Sequence, residues 1–186
     1  MSILYIFTLW VVPLIMGGYK EEILLDFRDQ EEIPEWLIIN DAVMGGVSTS
    51  DIEFIPAGYL KFTGNVSLEN NGGFASFRTQ AKVFNLNKFE GIKIRVRGDG
   101  KRYSFRLRSD NSYYGVAYAA DFQSIRDEWQ EIEIPFRDFT ARYRGRIVLD
   151  TEQLDKENIR QLGFLISDKQ EGKFALEIDW IKAYSY

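Results

Sequence analysis

Residues Gly91 to Arg108 read GIKIRVRGDGKRYSFRLR, and this stretch decides the fold class. From Ile92 to Arg97, and again from Tyr103 to Arg108, apolar and polar side chains alternate along the chain. A period of two residues is typical of a β-strand with one face in a core and the other towards solvent. Between the two segments, Gly98-Asp99-Gly100 supplies residues that suit a tight turn, so the stretch predicts a β-hairpin.

The chain on both sides of this stretch shows the same organisation. Short apolar segments follow one another with turn residues at intervals of about 8–12 residues, and no segment carries the apolar stripe of an ordinary α-helix. The remaining candidate strands are Ile23–Phe27, Ser48–Ile55, Tyr59–Ser67, Phe74–Thr79, Tyr114–Phe122, Trp129–Ile134, Arg146–Leu149, Gly163–Ser167 and Phe174–Ser185. A turn is expected around Phe136–Phe139, and one or two helical turns over Asp155–Gln161 with Asp155 as the cap. We predict an all-β fold, an antiparallel β-sandwich or jelly roll, forming one domain over residues 21–186.

Two missing residue types restrict the chemistry. The 186 residues include no Cys and no His, which excludes thiol catalysis, disulfides, thiolate zinc sites and a Ser-His-Asp triad. Glu69, Asp121 and Asp150 could in principle form an acid–base pair, but no spacing brings two carboxylates together, and solvated charges explain them better. We therefore expect a binding protein and not an enzyme, with no cofactor and no metal.

The charge pattern argues against nucleic acid as a partner. The formal net charge is −5, with 23 basic and 28 acidic residues spread along the chain. No basic tract of the kind that follows a phosphate backbone is present.

The N-terminus begins with an apolar run, Ile3–Met16. It is shorter than the roughly 20 residues of a membrane-spanning helix, and it has the length of a signal-peptide core. No Lys or Arg precedes Lys20, and a mitochondrial presequence, which is Arg-rich and amphipathic, fits less well. We predict residues 1–20 to be a signal or hydrophobic leader that brings the protein near a membrane. An exported, periplasmic or membrane-associated location is favoured over the cytoplasm. A misassigned start codon or an extra buried segment is the alternative.

Two glycine-rich stretches stand out, NDAVMGGVS at Asn40–Ser48 and LENNGGFAS at Leu68–Ser76. Neither has the Lys-Ser/Thr ending of a phosphate-binding loop or the GxGxxG of a dinucleotide site. Paired glycines can simply serve tight turns. Alternatively, the flanking amides and carboxylates shape a polar loop surface for peptide edges or sugar hydroxyls. The candidate partner- or ligand-binding residues are Asn40, Asp41, Gly45, Gly46, Glu69, Asn70, Asn71, Gly72, Gly73, Arg78 and Trp129.

These motifs, taken in order, resemble the complex I intermediate-associated protein 30 family. The likeness includes both glycine-rich stretches with Arg78, continues through Trp129-Gln130, and closes with FALEIDWI at Phe174–Ile181. The resemblance implies a galactose-binding-like jelly roll. For mitochondrial members it also implies a chaperone-like role in assembling NADH–ubiquinone oxidoreductase. This chain departs from that pattern because it has no Arg-rich presequence.

Three functions compete. The first is an assembly module that holds a protein partner, such as a subunit of a membrane complex, through its glycine-rich loops, with Trp36 or Trp129 as contact residues unless they belong to the core. The second is a carbohydrate-binding module, which needs an aromatic platform beside Asn70, Asn71 and Arg78. The third, a carboxylate-based hydrolase, is the weakest.

Overall fold

The computed structural model describes residues 18–28, 35–109 and 115–186, which form two antiparallel β-sheets. The strands are β1 (Lys20–Asp26), β2 (Trp36–Ile38), β3 (Thr49–Ile55), β4 (Tyr59–Val66), β5 (Ala75–Thr79), β6 (Gly91–Gly98), β7 (Arg102–Arg108), β8 (Ala117–Gln123), β9 (Trp129–Pro135), β10 (Thr140–Tyr143), β11 (Arg146–Ile147), β12 (Gln161–Ile166) and β13 (Gly172–Ser185). Helical structure in these ranges is limited to short 3-10 segments at Asp41–Met44, Glu69–Asn71, Phe136–Asp138 and Lys156–Asn158. Within the same ranges, no helix has the length and apolar character needed to cross a membrane.

The first sheet has the order β3-β4-β13-β6-β9, and β1 also pairs with β13. The long strand β13 lies between β4 and β6. Its first half, from Gly172 to Ile178, pairs with β4, and its second half, from Trp180 to Ser185, pairs with β1. The second sheet has the order β11-β10-β8-β7-β12-β5-β2. The predicted antiparallel sandwich is confirmed.

The two sheets pack their apolar faces against each other. From β6, Ile92, Ile94 and Val96 are fully buried, and from β7 so are Phe105 and Leu107. Aromatic rings contribute to the contact between the sheets: the centroid of Phe62 on β4 lies 4.7 Å from that of Phe77 on β5. The alternation read from the sequence thus identifies which residues face the core.

The predicted hairpin between β6 and β7 is wrong. Strand β6 pairs with β13 and β9 in the first sheet, whereas β7 pairs with β8 and β12 in the second. The turn between them is a corner at which the chain changes sheets. Asp99 holds this corner, accepting hydrogen bonds from Tyr103 Oη at 3.0 Å and from the Ala175 backbone N at 3.1 Å. Alternation specifies a buried face, but it does not say whether the next strand lies beside or across from the first.

The other predicted strands each have a counterpart, and two short strands, β2 and β10, escaped prediction. Asp155 is a cap as predicted, because its carboxylate accepts a hydrogen bond from the Glu157 backbone N at 3.0 Å. The helical segment after it is only one turn, and β12 already begins at Gln161. The apolar run Ile3–Met16 and the predicted strand start at Tyr114 lie outside the described residues.

Candidate functional site

Asp41 connects the two glycine-rich stretches. Its side chain is fully buried, and its carboxylate accepts hydrogen bonds from the backbone N of Ser48 at 2.9 Å, of Gly73 at 2.6 Å and of Phe74 at 3.3 Å, and from the Ser48 hydroxyl. Burial opposes ionisation of this carboxyl, but these hydrogen bonds outweigh it and hold the pKa of Asp41 below its ordinary value. One carboxylate therefore ties residues 41–48 to residues 73–74.

The four glycines around Asp41 are needed for two different reasons. Gly45 and Gly73 have positive φ angles, 91° and 131°, which residues with a side chain rarely adopt. Gly46 and Gly72 have ordinary angles, but an added Cβ would lie 2.5 Å from a carboxylate oxygen of Asp41 in each case. These two glycines make room for the buried carboxylate.

The amides and the glutamate predicted as ligand-binding residues lie in or beside turns. Asn70 and Asn71 have positive φ angles, 54° and 60°, and are exposed together with Glu69 in a 3-10 turn. Asn40 accepts a hydrogen bond from the Ser50 hydroxyl at 2.8 Å. Asn tolerates the left-handed region better than other side chains, so turn geometry alone is sufficient reason for Asn70 and Asn71.

The outer face of the second sheet forms a groove of about 670 Å³ beside these loops. Its floor contains small residues at successive strands, Ser76 on β5, Gly163 on β12, Ser104 on β7 and Ala119 on β8. Its lining includes five arginines: Arg78, Arg106, Arg108, Arg142 and Arg144. Small floor residues and long cationic side chains together give a concave, positively charged surface.

The first glycine-rich stretch supplies an apolar rim to this groove. Val43 and Met44 line it and are 51% and 57% exposed, and Ile39 and Phe74 line it as well. The stretch is attached to β5 through the hydrogen bond from the Ile39 backbone N to Ser76 O, 2.8 Å long. The hydrogen bonds of Asp41 to Ser48, Gly73 and Phe74, called here the hub at Asp41, thus fix the position of the rim relative to the arginines.

The arginines of the first sheet, by contrast, are neutralised on their own sheet. The sequence IKIRVR of β6 points Arg95 and Arg97 outwards, and these side chains form ion pairs with Asp179 and Glu177 of the neighbouring strand β13. In YSFRLR of β7 the same alternation points Arg106 and Arg108 into the groove. Near-identical patterns therefore produce a neutralised face on one sheet and a cationic face on the other.

Arg106 is the least compensated of the groove arginines. Its side chain makes no hydrogen bond or ion pair with any residue that the structure describes, and burial followed by the charges of Arg108, Arg78 and Arg142 lowers its pKa to about 10. Two carboxylates at the margin are already engaged: Asp121 with Arg142 at 2.8 Å, and Asp168 with Arg102. Arg108 donates to Gly115 O at 2.6 Å. Such a site favours an incoming anion.

The structure brings only part of the predicted set to this groove. Arg78 lies within it, and the hub at Asp41 borders it, but Trp129 lies on β9 of the first sheet, where the guanidinium carbons of Arg95 and Arg97 stand 5.1 and 4.9 Å from its ring centroid. Trp36 packs into the core against Phe77 at 5.1 Å.

Sequence reasoning missed Arg106, Arg108, Arg142 and Arg144. The alternation of YSFRLR predicts only that Arg106 and Arg108 face away from the core, and ARYRG at 141–145 is too short to show a period.

Comparison with known proteins identifies the family. A family model described as Complex I intermediate-associated protein 30 matches residues 25–178 of the 186-residue chain. The chain belongs to this family. The family carries the name of an intermediate-associated protein. Residues 18–28, 35–109 and 115–186 contain no group of three or more acidic side chains placed to hold a metal ion.

Curated members of the complex I intermediate-associated protein 30 family are distant relatives. The chain is 25% identical over 193 residues to the mitochondrial protein of that name from Mus musculus, covering 89% of this chain and 57% of the mouse protein. It is 29% identical over 179 residues to the probable mitochondrial protein of Caenorhabditis elegans, covering 86% of this chain and 53% of that protein. The chain thus spans little more than half the length of these relatives.

Among solved structures, the fold resembles carbohydrate-binding modules. The family 11 module of the cellulosomal cellulase Lic26A-Cel5E of Clostridium thermocellum superposes with a TM-score of 0.66 at 20% identity, covering 90% of this chain and 95% of the module. This likeness shows the fold alone, an antiparallel β-sandwich.

Proposed function

We propose that this protein is a non-catalytic binding module that holds a protein partner during the assembly of a membrane complex of the respiratory type. The observation that carries the proposal is the arginine-lined groove, because it is a concave surface with an apolar rim and with one arginine, Arg106, whose side chain has no ion-pair partner among the described residues. The names of the mouse and worm relatives, which associate them with complex I intermediates, support the choice of partner.

The composition of the groove suits a protein interface. Arg is enriched at interface hot spots, and Met and other exposed apolar side chains occur where a partner will cover them. Val43 and Met44 stand exposed next to Arg78 and Arg106, so a partner can bury apolar area and meet positive charge on one surface. In this proposal the hub at Asp41 and the turn at Glu69–Asn71 hold the rim in place. The leader predicted at residues 1–20, of which residues 1–17 lie outside the described part, brings the module near the membrane.

A carbohydrate ligand is the second candidate, favoured by the likeness to a carbohydrate-binding module. The lining of the groove weighs against it. Neutral sugars stack on exposed aromatic rings, whereas two of the aromatic residues at this groove, Phe77 and Phe164, belong to the buried core and Phe74 is only half-buried. An uncharged glycan has no anionic group to pair with the arginines that line the groove, so we favour the protein partner.

The test is a crosslinked pull-down of the tagged protein from its own host, read by mass spectrometry. Repeated recovery of subunits of one membrane complex is expected, and the double variant Val43→Ser, Met44→Ser should lose most of that recovery. Ile125→Ser is the matched control, since Ile125 is also 47% exposed but does not line the groove. Recovery of the bait alone, together with specific signals on a glycan array, would favour the carbohydrate candidate and overturn the proposal.

A further inference from the structure

We propose that the end of the sandwich beside β10 and β11 rests on the lipid surface of a membrane, with an apolar depression at the centre of the contact. This inference rests on the part of the proposed function that places the module near a membrane, and it deepens that function because it says which side of the protein faces the lipid. The occupant is a bilayer of zwitterionic lipid, not a further protein.

The depression has a volume of about 980 Å³ and collects the most exposed apolar side chains of the described residues. Among the large apolar residues that the structure describes, Leu149, Tyr186 and Ile147 have the three highest exposures, 89%, 64% and 59%. All three line this depression, although they come from two distant parts of the chain. The depression continues inwards to Phe136 and Phe139, which pack against the core. An exposed apolar surface of this kind marks a contact with an apolar partner.

The loop that carries Leu149 is attached to the sandwich on both sides of this residue. The Val148 backbone N donates a hydrogen bond to Ala141 O at 2.9 Å. The Tyr118 hydroxyl donates a hydrogen bond to Glu152 O at 2.7 Å. Leu149 is therefore presented to the outside by an anchored loop, so its exposure is a property of the folded protein.

The N-terminal apolar run joins the described structure at this depression. The ring centroid of Tyr19 lies 5.2 Å from that of Tyr186 and 6.3 Å from that of Tyr184, and both of these tyrosines line the depression. The Tyr19 hydroxyl donates a hydrogen bond to Glu133 at 2.9 Å, which holds Tyr19 in place. Two glycines separate Tyr19 from Met16, the last residue of the run, and a chain spans at most about 3.6 Å per residue. A leader that enters a bilayer would therefore bring this end of the sandwich to the lipid surface.

The chemistry of the depression suits a zwitterionic lipid surface. Tyrosine rings around an apolar centre are typical of the membrane interface, because the ring is apolar and the hydroxyl stays in water. Arg137 stands at the margin with a side chain that is 85% exposed, and such a side chain can reach lipid headgroups. The charges of the lining balance, with Arg137 and Lys156 against Glu90 and Glu152. We therefore expect attachment through apolar area, without a requirement for anionic lipid.

Strand β10 keeps this surface apart from the arginine-lined groove. Ala141 lines the depression whereas the next residue, Arg142, lines the groove, because successive residues of a strand point to opposite faces. The apolar rim at Val43 and Met44 is attached to β5, four positions away from β10 in the second sheet. The module can therefore rest on lipid and hold a partner in the groove at the same time.

The inference is tested on the full chain with fluorescent labels at single cysteines. The sequence has no Cys, so Leu149→Cys and Ile125→Cys each take one nitrobenzoxadiazole label. Ile125 is the control: it is 47% exposed and lies beyond the end of β9 that is opposite to Pro135, about 20 Å along a strand of seven residues. Vesicles of phosphatidylcholine carry a doxyl-labelled lipid as the quencher. We expect quenching at least about threefold stronger at position 149 than at position 125, because an interfacial apolar face enters the bilayer by about 5–10 Å.

A second substitution links the quenching to the apolar surface. Ile147→Ser, combined with the label at position 149, should weaken docking of this end by about tenfold, as the loss of one buried apolar side chain implies, and the quenching should fall with it. Val83→Ser is the matched control, since Val83 is 53% exposed and does not line the depression, and it should leave the quenching unchanged. Adding phosphatidylserine to the vesicles should not increase the quenching.

Four results would overturn the inference. They are labels at positions 149 and 125 that are quenched equally, a label at position 149 that is not quenched, full quenching in Ile147→Ser, and quenching that requires phosphatidylserine. The other occupant, a protein, is recognised by a different outcome. If the label at position 149 is shielded only after addition of a subunit recovered in the pull-down, this end is a protein interface and the inference is wrong.

Failure of the inference can be separated from failure of the proposed function. If the pull-down recovers subunits of one membrane complex but the label at position 149 is not quenched by the vesicles, the function stands and the lipid-facing end is wrong. If the label is quenched as expected but the pull-down recovers the bait alone, the lipid-facing end stands and the assembly role is wrong.

Discussion

Replacing Asp41 with Ala should cause one of the largest losses of stability that a single polar substitution can produce in this protein. The Asp41 carboxylate is 0% exposed and is the shared acceptor of three backbone N–H groups and one hydroxyl. Alanine removes the acceptor and leaves these donors behind. The Ser48 N–H is buried, so water cannot easily replace the lost acceptor there.

The magnitude follows from the number of orphaned donors. A buried donor without a partner costs about 1–3 kcal/mol, and three strong hydrogen bonds, from Ser48 N, Ser48 Oγ and Gly73 N, are lost together. Release of the desolvation cost of the charge offsets part of this, so we expect a net loss of about 4 kcal/mol in the free energy of unfolding. For a chain of this size that corresponds to a decrease in Tm of roughly 8–16 °C. Asp41→Asn keeps one acceptor oxygen and should lose about half as much.

The assay is urea unfolding followed by tryptophan fluorescence, with the slope against urea compared between variants. Asp150→Ala is the matched control, an exposed aspartate whose loss should change the unfolding free energy by no more than about 0.5 kcal/mol. A loss below about 1 kcal/mol in Asp41→Ala, at unchanged slope, would refute the role of Asp41 as a hub. It would mean that water or a neighbouring group satisfies the donors in its place.

Two further predictions concern the same region. Gly45→Ala should lower the free energy of unfolding by about 1 kcal/mol because of its positive φ angle, and Gly46→Ala should lower it further because its Cβ meets Asp41. In an Asp41→Ala background the loss caused by Gly46→Ala should be smaller. A double-mutant cycle without coupling would contradict this explanation. The pKa of Asp41 is lowered in the folded state, so its contribution to stability is complete above the ordinary Asp pKa of about 3.9 and is lost as the pH falls through the lower folded value. Unfolding free energies measured from pH 6 to pH 2 should therefore decrease less steeply in Asp41→Asn than in the wild type. Some pH dependence should remain in the variant because the hydrogen bond from Lys182 lowers the pKa of Glu21 to about 2. Equal slopes in the two proteins would contradict the lowered pKa of Asp41.

The sequence predicts the layers of this fold better than their connections. Alternation in Ile92–Arg97 and Tyr103–Arg108 correctly identifies the buried side chains, because burial of one face is a local property of each strand. Pairing depends on residues far away along the chain: β6 lies against β13, more than 70 residues later. The hairpin prediction failed for that reason. Strands as short as β2 carry too few residues for a period to be visible.

The same limit applies to the candidate site. Glycine pairs and Asn40–Gly46 marked a region of special backbone geometry, and the structure gives a reason for it at Asp41. The sequence does not predict the positive charge of the groove in the same way. Whether an outward-facing arginine meets a carboxylate depends on the neighbouring strand, as the contrast between Arg97 and Arg106 shows.

The central place of β13 in the first sheet has a consequence for biosynthesis. This strand leaves the ribosome after β1, β4 and β6, yet all three pair with it. Until it emerges, those three strands present unpaired edges, and such edges invite pairing with other chains. The first sheet of the nascent protein therefore stays incomplete until β13 has been synthesised. A truncation that removes β13 should therefore yield an aggregating chain and not a smaller folded one.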